Sequence, residues 1–158
     1  MHTDRRGDNL PSAVGHRWIR RAATLGASFV VAHLITVVIT CAFRGFNWGM
    51  NAWILDIGGF LAGIFFTVQC WLSSKSSARE FRRGNLGIAI WAIATVLFRV
   101  VDTLMLFGIV KWDMIYVTPS GLVFWSNVIS EAIIGMAFAM TALFGSVKLL
   151  LAARQPPK

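Results

Sequence analysis

The sequence holds two cysteines, three histidines and seven acidic residues in 158 positions, and each scarcity removes a class of chemistry. Cys41 and Cys70 each fall near the end of an apolar run, and successive runs crossing in opposite directions would put them near opposite faces of a membrane. A disulfide between them is therefore not expected, and they make no CxxC-type site. His33 is the one histidine inside an apolar run, since His2 and His16 precede the first run. A haem held by two histidines would lack its second ligand. Histidine boxes for a di-iron centre, HExxH and a cysteine cluster for zinc are also missing. No GxSxG nucleophile turn and no phosphate-cradling glycine loop occurs. No metal and no cofactor is expected, and no catalytic residue is assigned. Regular alternation of apolar and polar residues is absent too, which excludes a transmembrane β-barrel built of about ten-residue alternating strands.

What the chain has in excess is oil. Hydrophobic residues make up 56% of it and the mean hydropathy is +0.66, against about 45–50% apolar for an ordinary soluble domain. The excess is gathered into four runs, residues 24–43, 52–72, 86–110 and 121–144. Each is long enough to cross roughly 30 Å of hydrocarbon as a helix, and backbone polar groups bare in lipid require helices. The expected fold is all-α, an integral membrane bundle of four transmembrane helices. Residues 1–23 are read as a basic N-terminal tail, 24–154 as the membrane domain and 155–158 as a C-terminal tail. Gly7, Pro11 and Gly15 are expected to keep residues 1–17 out of a helix. The connections at 44–51 and 111–120 are too short for an extramembrane catalytic domain. The last helix is expected to end in a basic stretch before Pro156 and Pro157 stop it.

The net charge is +8, and its placement predicts an orientation. Arg5, Arg6, Arg17, Arg20 and Arg21 precede the first run. Lys75, Arg79, Arg82 and Arg83 lie between the second and third, and Lys148, Arg154 and Lys158 close the chain. Arg44 and Lys111 stand alone in the other two connections. Basic residues stay on the cytoplasmic side, so both termini and the central loop are expected there. Trp18 and Trp71 then mark the inner interface, and Trp48, Trp53 and Trp112 the outer one. The basic groups are expected to meet anionic lipid headgroups rather than nucleic acid. The first run, at about 20 residues, exceeds the usual 7–15 of a signal peptide. It has no A-x-A site and is read as a retained anchor. The expected location is a bacterial-type inner (plasma) membrane, crossed several times.

Five ionisable residues interrupt the oil: His33, Asp56, Arg99, Asp102 and Glu131. A central Asp or Arg facing lipid costs roughly 2.5–3.5 kcal/mol on insertion scales, so all are expected to face inward. Arg99 and Asp102, three apart, share a helix face and can pair. Helical spacing also aligns His33 with Thr36 and Thr40, and Asn127 with Glu131 and Gly135. Gly59 and Gly63 form a GxxxG-type stripe suited to close helix approach. The expected site is an intramembrane polar cluster of His33, Asp56, Arg99, Asp102, Asn127 and Glu131, with Gly59, Gly63 and Gly135 as packing positions. Ser130 and Glu131 are not expected to act together, because adjacent residues of an α-helix point about 100° apart.

Function is less legible. The leading expectation is a small non-enzymatic inner-membrane protein, a subunit or accessory or assembly factor that associates with itself or a larger complex. The rival is an oligomeric proton- or cation-coupled transporter or channel using Glu131, Asp102 and Asp56. A membrane-permeabilising effector is the third reading.

Overall fold

The computed structural model describes residues 10–44, 50–76, 80–81, 86–109 and 121–154, without the side chains of 10, 11, 44, 50–56 and 106. The described residues are almost wholly helical and include no strand. Four long helices carry the fold: α1 (Leu10–Arg44), α2 (Met50–Ser73), α3 (Leu86–Leu106) and α4 (Gly121–Ala152). α1, α3 and α4 are each long and apolar enough to cross a membrane, and the described apolar part of α2 is the shorter Ile57–Ser73.

The helices run up and down. His16 of α1 meets the turn after α2 through Ser76. Phe66 of α2 stacks on Trp91 of α3, and Arg99 of α3 reaches Glu131 of α4. α1 and α4 form the central pair. α2 packs on α1, α3 packs on α4, and α2 and α3 scarcely meet. The core runs along the central seam, through Ile19, Ala22, Phe29, Phe138, Ala142 and Leu149, all nearly or fully buried. At Gly145 an added Cβ would lie 2.9 Å from the backbone nitrogen of Ile19, so the two helices touch backbone to backbone there. Phe81, from the segment between α2 and α3, is also fully buried in this core.

α1 starts at Leu10, well before residue 24, where the span was expected to begin. Gly15 lies within it and is not a breaker: a Cβ there would meet Leu149 of α4 at 2.7 Å. Packing against α4 offsets the roughly 1 kcal/mol by which glycine disfavours a helix. α3 stops at Leu106 instead of continuing to 110. Gly108 adopts φ +71, its N–H donates to Met105 O at 2.9 Å, and the N–H of Ile109 donates to Leu104 O at 2.9 Å. That pair of bonds satisfies carbonyls the helix end leaves open, and the left-handed residue suits glycine.

Side chains are distributed inside out. Val31, Leu34, Val38, Leu61, Phe65, Ile90, Leu97, Trp125 and Ile133 are exposed, whereas His33, Thr36, Thr40, Arg99, Asp102, Ser130 and Glu131 are buried. At one end of the bundle, basic groups lie over aromatic rings: Arg21 over Trp18, Lys75 over Trp71 and Lys148 over Phe144. Both cysteines are free. Trp48, Trp53, Trp112, Arg79, Arg82, Arg83 and the connections expected on the outer face lie outside the described residues or side chains.

Candidate functional site

The polar residues meet where α1, α3 and α4 converge. α4 is not uniform. It runs as an α-helix over Gly121–Asn127, widens to a π-helix over Val128–Gly135 and returns to an α-helix over Met136–Ala152. A π turn closes its hydrogen bond one residue later than an α turn, so successive side chains diverge by less than about 100°. Ser130 and Glu131 are therefore both buried, contrary to what α-helical spacing predicts for neighbours. Each faces a different partner.

Glu131 is the hub. Nδ1 of His33 donates to its Oε1, and its Oε2 pairs with Nη1 of Arg99. Arg99 also stands 3.8 Å from Asp102 Oδ2 on its own helix. The four groups form a line of alternating character, His33–Glu131–Arg99–Asp102, across three helices. All four groups are buried, so each depends on its neighbours for solvation. Aromatic rings complete the enclosure. The His33 imidazole lies 5.5 Å from Phe29 and 6.3 Å from Phe60, and the guanidinium lies 5.3 Å over Phe29.

A hydroxyl layer sits one turn from this line. Thr36 Oγ1 is 3.1 Å from Ala32 O, from Ser126 O and from Ser130 Oγ. Its single proton serves one acceptor at a time, and the Ser130 hydroxyl can donate in return. Thr36 thus ties α1 to the start of the π turn. Thr36→Val keeps the shape and removes the bond, and is expected to lower stability by about 0.6 kcal/mol. Unfolding by SDS in mixed micelles would measure it.

The residues expected to gather do so unequally. His33, Arg99, Asp102 and Glu131 come together. Asn127 does not join them: it is half-buried, and its Nδ2 donates to Val123 O of its own helix at 2.8 Å. The side chain of Asp56 lies outside the described residues. Gly63 is a packing position, since a Cβ there would meet the Phe29 ring at 2.7 Å, and Gly135 is another, with Phe29 at 3.2 Å and Arg99 Nε at 3.3 Å. Gly59 has nothing within 4 Å of an added Cβ, so the expected GxxxG contact uses only its second glycine. The pairing of Arg99 with Asp102 is present but secondary, because Glu131 of α4 lies against the guanidinium. Thr36, Ser126 and Ser130 belong to the site as well. The signal for Thr36 was the hydroxyl stripe of α1, which shares the His33 face. Among the described residues no three His, Cys, Asp or Glu side chains gather as metal ligands.

No family model, curated protein or solved structure matches this chain.

Proposed function

We propose that this chain is a small, non-enzymatic integral protein of a bacterial-type inner membrane, a subunit or accessory factor of a larger membrane assembly. The inside-out distribution supports the bilayer. Apolar side chains of this size turned outward over several helices exceed what a soluble monomer exposes, while charges turned inward suit a hydrocarbon surround. The Arg21, Lys75 and Lys148 end, with Trp18 and Trp71, supports cytoplasmic termini.

The observation that carries the accessory reading is the closure of the ion line. His33, Arg99 and Asp102 are answered by Glu131 and by one another inside a single chain. Such an arrangement favours holding three helices in register over passing ions through them. Proton- or cation-coupled transport is the second reading, favoured by the adjacency of two proton-carrying groups, His33 and Glu131.

Solubilised from native membranes in mild detergent, the chain is expected to migrate with a larger membrane protein. Glu131→Gln is expected to reduce its accumulation. Reconstituted alone in liposomes, the chain is expected to support no proton flux above empty vesicles. Flux that Glu131→Gln abolishes, with assembly intact, would replace the accessory reading by the transport one.

A further inference from the structure

α2 and α3 flank the same side of the α1–α4 pair without meeting along their middle, and between them lies a groove of about 320 Å³. Toward the basic end it is closed by Phe66 and Trp91, stacked at 4.2 Å and 15°. Its α2 wall is made of Gly58, Gly59 and Ala62, and its inner end of Trp91 and Phe138. Two polar groups line the other end, Thr95 and Arg99. Thr36, Thr40, Thr67 and Thr103 each donate to the carbonyl four residues earlier. Thr95, half-buried, makes no such bond among the described residues. Arg99 lies about 10 Å below the outer end of α3, counting 1.5 Å per residue.

We propose that this groove binds a membrane-soluble quinone, a flat neutral ring bearing carbonyl oxygens on an isoprenoid tail. Charge, depth and ring surface select this occupant. The volume stands at the low end of small-molecule sites, about 300–1,000 Å³. The polar end holds a hydroxyl donor, Thr95, one helical turn from Arg99. Glu131 and Asp102 beside that arginine oppose a second anion, which disfavours a carboxylate or phosphate head. A neutral carbonyl fits both conditions. The site is too deep for the ester groups of bilayer phospholipid, whereas a quinone ring is apolar enough to reach it. Trp91, Phe98 and Phe138 offer ring surface to a flat conjugated system.

The test is titration of decylubiquinone into the full chain in phospholipid nanodiscs, read by tryptophan quenching and by native mass spectrometry. Saturable binding of one quinone per chain is expected. Gly59→Leu, whose Cβ enters open space, should lower affinity at least about tenfold with unchanged melting. Thr95→Val, nearly isosteric, should lower it about three- to tenfold. Three results would overturn the proposal. Affinity could be equal in all variants. Dodecane could displace the quinone as well as a second quinone does, which would mean a plain hydrocarbon site. Or Gly59→Cys could cross-link two chains efficiently, which would make the groove a seam between copies. Quinone binding and co-purification with a larger complex are separate readouts, so either can fail without the other.

Discussion

Glu131→Ala is expected to destabilise the bundle by about 3–5 kcal/mol, the usual effect of removing one partner from a buried ion pair. Two groups lose their counterpart at once. His33 loses the acceptor of its Nδ1 proton, and Arg99 loses the carboxylate set against its guanidinium, with Asp102 farther off at 3.8 Å. Neither can turn to water, because Phe29 and Phe60 wall the histidine and Phe29 and Phe98 lie against the guanidinium. SDS or thermal unfolding in detergent would read the change. The informative control removes the whole line: His33→Phe, Arg99→Met, Asp102→Leu and Glu131→Leu together should recover much of the loss, since an apolar replacement carries no desolvation penalty. A single Glu131→Ala variant within 1 kcal/mol of the native chain would mean that the ion line holds nothing together.

Gly145→Ala should be among the most damaging substitutions of a glycine by its smallest neighbour, at roughly 1–3 kcal/mol. The new methyl would lie 2.9 Å from the Ile19 backbone nitrogen and 2.9 Å from its Cγ1. A side chain can rotate away, but the helix backbone cannot, so α1 and α4 must part along the central seam. An added ångström of separation along that seam forfeits dispersion contacts along both helices. Gly59→Ala is the matched control. Its Cβ enters open space, and the substitution should leave stability unchanged or raise it by about 0.5–1 kcal/mol. Melting temperatures of the two variants in one detergent would decide whether glycine matters here by position or by composition.

Much of the helical frame was readable before any coordinates, because runs of 20 or more apolar residues have few alternatives. The inward turn of His33, Arg99, Asp102 and Glu131 was also readable, since the expense of a charge in oil does not depend on knowing its partner. The choice of partner was not readable. Spacing favoured Arg99 with Asp102 on one helix, and the stronger engagement runs across to α4. The start of α1 was misread at Gly15 because a glycine's intrinsic preference was weighed without the Leu149 side chain that packs on it. Gly59 and Gly63 are identical in sequence terms, yet only Gly63 has a neighbouring ring.

Local chemistry alone determined an all-helical chain of long apolar segments whose few ionisable side chains turn inward. Tertiary structure decided the rest. The π turn at Val128–Gly135 lets Ser130 and Glu131 face inward together, and the central α1–α4 pairing leaves α2 and α3 apart with a groove between them. Both depend on contacts between residues far apart in the chain, and hydropathy and helical period carry no information about which distant surfaces will meet.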